Sequence, residues 1–320
     1  MNWMVKNMML SVLIVALMSM LLSPFASPRV SVRAAQSRAG ETACRVCFYG
    51  PDNIVFDAAG DAYVTDSDHK SKFRVVKLSP QGNILAEWHL FATGRGKRPG
   101  PEGIAIDHEG NIFVTDGGAL RVLKVSPTGK VLMSIDGGKE PFQDLGHVAL
   151  DRAGNIYVAD AAQNAIYKFS PEGKPLALWK KQRGANPDEW NSPETFAVRT
   201  DGTLVVEDAG NRRVDVMSPS GKDLFTVGAR GTGPGQIQAG AGICVDSSGN
   251  IYITDWELHR IQKFDASGHL LSTIPSNVGP QIFGEGPAGL TIEKEGDFYT
   301  VDGLSILKFS RDGRVLARWR

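Results

Sequence analysis

Two carboxylates and an imidazole stand at matching points of this chain. Glu102, His147 and Glu194 each lie one or two residues before a short apolar run, Ile104–Ile106, Val148–Leu150 and Phe196–Val198. Mixed oxygen and nitrogen donors of this kind suit a divalent cation, zinc or calcium. The same two positions can be read in six places. They hold Asp52, Glu102, Gly146, Glu194, Ala241 and Ala288 at the first, and Asn53, Gly103, His147, Thr195, Gly242 and Gly289 at the second. Four units therefore carry acids, a histidine, an asparagine or a threonine there, while the last two carry only small residues. Against a shared ligand stands the alternation of a strand, which sends successive side chains to opposite sides unless a bulge intervenes.

Other chemistries find little support. There is no Gly-x-Ser-x-Gly elbow, and the six histidines are scattered over different units. Cys44 and Cys47 form a Cys-x-x-Cys with no histidine following, so c-type haem attachment is excluded. No second cysteine pair completes a structural zinc site. The run after Cys47, Phe-Tyr-Gly-Pro, leads towards a strand rather than the helix a redox motif needs. Cys244, within Ile243–Val245, reads as a small buried hydrophobe.

What must position these residues is a repeat. The stretch GNIYVADAAQNAIYKFSPEGKPLALW, Gly154–Trp179, holds three short apolar runs separated by turn residues, the pattern of strands. One glycine series runs Gly60, Gly110, Gly154, Gly202, Gly249, Gly296; a second runs Gly82, Gly129, Gly173, Gly221, Gly268, Gly313. Both step by 44 to 50 residues, a propeller-blade period. Six residues after each glycine of the second series comes Trp88, Ile135, Trp179, Val227, Ile274 or Trp319, as packing between outer strands requires. The expected fold is all-β: a six-bladed β-propeller of four-stranded antiparallel blades over residues 51–320, each blade contiguous in sequence. The second strand of every unit ends in an aspartate (Asp66, Asp116, Asp160, Asp208, Asp255, Asp302). A residue needed in every blade serves the blade, here by accepting backbone N–H bonds at the turn into the third strand.

The motifs PEGIAIDHEGNIFVTD (Pro101–Asp116) and GNIYITDWELHRIQKFDASGHLL (Gly249–Leu271) resemble the NHL repeat. The resemblance covers nearly all of residues 51–320 and implies a six-bladed propeller. Proteins of this kind include extracellular binding domains, receptor-kinase sensors, lyases and RNA-binding proteins, so the resemblance is specific for fold and weak for function. Lactonase-like propellers use Glu, Asn and Asp at the channel mouth; Glu102, Glu194, Asn53 and Asp52 match that set in composition. Amidating lyases place histidines there in several blades, and only His147 answers.

The N-terminal segment belongs to another class. Lys6 precedes an apolar run, Met9–Leu22, short for a bilayer span but suited to a secretory signal, with Val32-Arg33-Ala34 as the processing site. Residues 1–34 are expected to be a signal peptide or, in the rival reading, an uncleaved anchor, the chain's one link to a membrane. Residues 35–50 read as a flexible lead-in, and the location as extracytoplasmic. Without residues 1–34, which hold three basic residues and no acid, 32 basic residues face 35 acidic ones. That balance gives no footprint for nucleic acid.

The expected function is an exported binding or scaffold propeller whose channel mouth and loops recognise a ligand or protein. Its candidate contacts are Asp52, Asn53, Glu102, His147, Glu194, Arg212 and Trp256, with Glu102, His147 and Glu194 as a metal set. Cations on the loops (Arg95, Lys97, Arg98, Lys139, Lys180, Lys181, Arg183, Arg212, Arg213, Arg230) point to an anionic or glycan ligand. Phe142, Trp190, His259 and Phe283 are further apolar candidates. The alternative is a metal-dependent lyase or lactonase-like hydrolase using the mouth carboxylates and His147.

Overall fold

A computed structural model of the chain describes residues 46–91, 94, 97–274, 282–293 and 296–320. The N-terminal segment 1–34, Cys44 and Arg95 lie outside the described residues. Six antiparallel four-stranded sheets follow one another along the chain, each built from consecutive strands. Blade one is Pro51–Phe56, Ala62–Ser67, Phe73–Leu78 and Ile84–Trp88. The five other inner strands are Pro101–Ile106, Leu145–Leu150, Pro193–Val198, Gly240–Val245 and Pro287–Ile292. Consecutive inner strands lie side by side, and that of blade six meets that of blade one. Among the described residues the helical content is one 3-10 turn, Ala209–Asn211.

The turn chemistry is local. In the first hairpin of blade three, Asp151 accepts the backbone N–H groups of Ala153 and Asn155, and the chain reverses at Gly154 with φ +80°. Positive φ is cheap only without a Cβ. Burial acts to raise the Asp151 carboxyl, but bonds from Asn155 and Tyr157 and the nearby Lys168 hold it below the ordinary range.

Packing between blades uses the second glycine series. A Cβ on Gly129 would lie 2.1 Å from Nε1 of Trp88, and one on Gly221 would lie 2.0 Å from Cδ1 of Trp179. Each blade thus lays its last apolar side chain over the turn of the next. The pairing continues around the ring, where Trp319 of blade six covers Gly82 of blade one. Trp88 is buried and stacks on Tyr63 with ring centroids 5.7 Å apart. Full burial of such a ring is worth about 2–3 kcal/mol.

Closure needs no exchanged strand. The Val46 N–H donates to the carbonyl of Arg320 at 3.2 Å, and Val46 and Phe48 are buried with Tyr299, Val301 and Ile306. The end of the lead-in is therefore not loose as expected, because its apolar residues fill the seam between blades one and six.

The six repeated aspartates are buried; Asp116 accepts the Ala119 N–H in the turn into its third strand, as expected, while five have other main partners. Asp160 accepts the N–H groups of Gln143 and Asp144, and Asp302 those of Gly284, Glu285 and Gly286. Asp66, Asp160, Asp208, Asp255 and Asp302 each hold the loop that enters their own blade. The turn into the third strand is a secondary partner, as in Gln163 N–H to Asp160. An entering loop has several unpaired amides and no ladder to satisfy them, so it gains more from an anion.

Candidate functional site

Every inner strand breaks its register next to its first residues, for example between Pro51 and Asn53, Pro101 and Ile104, and Pro193 and Phe196. Such bulges re-aim side chains. Here they overturn the expected alternation: both positions of the repeat face one cavity of about 300 Å³ at the channel mouth. Asp52, Asn53, Glu102, His147, Glu194 and Trp256 all line it, together with His69 and Arg98. Arg212 is not among the lining residues. The small residues of blades five and six have a packing cause. A Cβ on Gly242 would lie 2.5 Å from the Ala288 carbonyl, and one on Gly289 would lie 2.3 Å from that of Asp52.

Arg98 organises the mouth. Its Nη1 is 3.2 Å from Glu102 and 3.4 Å from Glu194, and its Nε is 3.3 Å from Asp144. Burial works against the guanidinium charge, but the three carboxylates override it and raise the Arg98 pKa. This arrangement competes with the metal reading. A permanent cation of the chain lies against both Glu102 and Glu194, where a divalent ion would have to sit. Among the described residues no three His, Cys, Asp or Glu side chains are grouped to hold a metal. The donor set does not fit the metal of a lactonase-like site.

Burial, reinforced by Asp52 and Glu194 and opposed by Arg98, pushes the Glu102 carboxyl up to about 8. Asp52 is raised by burial and pulled back by His69, whose Nε2 lies 3.3 Å from Oδ1. That pairing raises the His69 imidazole. His147 is enclosed deep in the channel although it keeps some exposure to the cavity. Burial lowers it to about 4, against a backbone hydrogen bond at Phe196, so the ring is neutral. Four buried polar atoms here make no hydrogen bond within the chain: Asp52 Oδ2, Arg98 Nη2, Glu102 Oε1 and His147 Nδ1. All four belong to lining residues of this cavity.

At least three of the ten loop cations are held by the chain itself. Arg98 is held by acids, Lys181 pairs with Asp223 at 2.7 Å, and Arg213 binds Asp208, Asp215 and loop carbonyls. Phe142, Trp190 and Phe283 are buried in the blades, and the Trp190 indole donates to Asp215. Trp256 keeps an exposed face, at 48%.

Sequence reasoning missed three residues. Arg98 was visible only as one cation among ten, and His69 sits in a third-strand turn longer than those of the other blades. Glu207 is the third. The residue before the repeated aspartate is Thr65, Thr115, Ala159, Glu207, Thr254 and Val301 in the six blades, so one glutamate departs from a threonine or apolar series. It is 2% exposed with Oε1 unpartnered, and burial, then Glu194, Asp208 and Asp255, push it up to about 8.

Residues 50–141 match the SMP-30/Gluconolactonase/LRE-like region, and residues 241–264 match the NHL repeat. The human NHL repeat-containing protein 3 is 27% identical over 135 residues, covering 41% of this chain and 38% of that protein. The match thus spans well under half of that relative's length. A streptogramin B lyase structure superposes with a TM-score of 0.62 at 16% identity, covering 86% of this chain and 84% of that one. A gluconolactonase from Xanthomonas campestris gives 0.63 at 15% identity, covering 89% and 95%. A virginiamycin B lyase from Staphylococcus aureus gives 0.60 at 14% identity, covering 85% and 84%. At these identities the likeness is one of fold. Six four-stranded blades, the repeat match and the repeat-containing relative together support an NHL-type six-bladed β-propeller.

Proposed function

We propose that this propeller is an exported binding protein whose channel mouth takes a small polyhydroxylated ligand. The observation that carries the reading is the convergence of four unpartnered polar atoms, from Asp52, Arg98, Glu102 and His147, on one cavity. A buried polar atom without a partner costs about 1–3 kcal/mol, which a ligand group would recover on binding. Three of the four can accept a hydrogen bond and Arg98 Nη2 donates. Hydroxyl groups do both, and the exposed Trp256 face offers a stacking surface for a sugar-like ring. Export rests on the apolar run Met9–Leu22 behind Lys6.

Calorimetric titration of the purified protein with D-glucose, D-gluconate and D-glucosamine tests it. Binding of at least one, lost in Asp52→Ala and in His147→Ala, is the expected result. No heat from any of the three overturns it.

One observation favours a second reading, a hydrolase or lyase without a metal. Glu102 holds its proton at neutral pH close to the Asp52–His69 pair, which supplies an acid and a base at one mouth. Turnover of a sugar lactone, abolished in Glu102→Gln with binding retained, would move the assignment from binder to enzyme.

A further inference from the structure

The Glu207 carboxyl lies behind the wall of the mouth at the one inner strand whose first residue leaves a gap. That first residue is Pro51, Pro101, Leu145, Pro193, Gly240 and Pro287 in the six blades. Only blade five has glycine. A Cβ on Gly240 would lie 2.0 Å from Glu207 Oε1, so the carboxyl occupies the volume that a ring or side chain fills elsewhere. Gly240 itself lines the mouth cavity. The two departures from the repeat are therefore sterically complementary, one in blade four and one in blade five.

Local packing does not need this glutamate. At the same position Thr65 and Thr254 donate their hydroxyls to carbonyls of the next inner strand, those of Glu102 and Ala288 at 3.1 and 2.9 Å. A threonine at 207 would face the Ala241 carbonyl in the same way. Instead the chain holds a buried acid with an unpartnered oxygen, beside Glu194 and with no basic group among the charges that shift it. A local rule broken without a compensating contact marks a group that acts on something else.

What it would act on follows from the charges around it. Asp52, Glu102 and Glu194 line the mouth, Asp144 lies against Arg98, and Glu207 lies behind Gly240. Of these five carboxyl groups Glu102 and Glu207 hold protons at neutral pH, and the permanent cations there are Arg98 and the largely exposed Lys97. We propose that Glu207, reached past Gly240, is an ammonium-binding carboxyl, so that the ligand of the mouth carries an amine. This inference rests on the polyhydroxylated reading and narrows it to an amino sugar or a similar amino alcohol. The ligand enters as an ammonium and keeps its protons. Glu207, protonated at neutral pH when the site is empty, gives its proton to solvent as the ion pair forms. The orphaned Oε1 of Glu102 lies on the mouth cavity and can accept the ligand's hydroxyls.

The test is calorimetry at pH 7 with D-glucosamine and D-glucose on the unaltered protein, Glu207→Thr and Glu207→Gln. D-glucosamine is expected to bind at least tenfold more tightly than D-glucose, with about one proton released in buffers of differing ionisation enthalpy. Both variants should lose that preference and the proton release while keeping their affinity for D-glucose. Glu207→Thr should also raise the melting temperature, because it restores the repeat's hydrogen bond and removes a buried acid. Equal affinity for the two sugars, an unchanged preference in the variants, or a lower melting temperature in Glu207→Thr overturns the inference and leaves the polyhydroxylated reading standing. If neither sugar binds, ethanolamine decides. Stabilisation of the unaltered protein but not of Glu207→Thr keeps the ammonium site without the sugar, and no stabilisation removes both.

Discussion

Arg98 and Glu194 are 96 residues apart in sequence, and their side chains meet at 3.4 Å across the channel mouth. The guanidinium reaches from the loop entering blade two, past Asp144 of blade three, to the inner strand of blade four. It thereby gathers carboxyl groups from three blades around one cation.

Arg98→Ala should release that cluster. The partly exposed ion pairs make the loss of stability modest, about 1–2 kcal/mol. The freed carboxylates of Glu194 and Asp144 should then take up calcium, while Glu102 keeps its proton at neutral pH. Thermal melts with and without calcium check this: the ion should stabilise Arg98→Ala and leave the unaltered protein unmoved. A calcium shift in the unaltered protein would restore the metal reading.

Stability should fall as pH rises through neutrality. Glu102 and Glu207 keep their protons in the folded chain up to about 8, whereas both ionise near 4.5 when unfolded. Between those values the folded state binds more protons, so the unfolding free energy declines with pH, by on the order of a few kcal/mol. Denaturant titrations at pH 5 and pH 8 should show the decline. Glu207→Thr should flatten it, and an equal slope in that variant would place the effect elsewhere.

Gly129→Ala should be far more damaging than Gly138→Ala. Both backbones have positive φ, which costs an alanine about 1 kcal/mol. Only at Gly129 would the new methyl also strike the buried Trp88 ring, adding about 1–3 kcal/mol of overpacking; at Gly138 nothing lies within 4 Å. Urea midpoints of the two variants measure the difference.

Much of the fold was legible because blade chemistry is local. Glycine at Gly154 and Gly129, aspartate at Asp151 and tryptophan at Trp88 repeat because each blade needs the same turn and the same cover. The mouth was half legible. Asp52, Glu102, His147 and Glu194 stood out as departures, but alternation along a strand hid the bulge that turns both positions to one cavity. Arg98 lies in an inter-blade loop of its own sequence, and His69 in a third-strand turn longer than those of the other blades, so no register marks them. Glu207 sits inside the apolar strand Leu204–Asp208, next to a repeated aspartate that masks it. Its meaning depends on Gly240, 33 residues on, and on a contact between blades that no spacing in the sequence reveals.

The hydrogen bond between Val46 and Arg320 has a topological consequence. With its two ends 3.2 Å apart and every blade closed on itself, residues 46–320 form a circle that happens to be cut between blades six and one. Joining those ends by a short peptide and cutting instead within another inter-blade loop would permute the chain without breaking a sheet. The charged and aromatic groups of the mouth come from blades one to five, so a cut before the inner strand of blade six would leave Glu207, Gly240 and Arg98 on one uninterrupted stretch. The order of the blades around the channel, rather than their order from N to C terminus, is what the site requires.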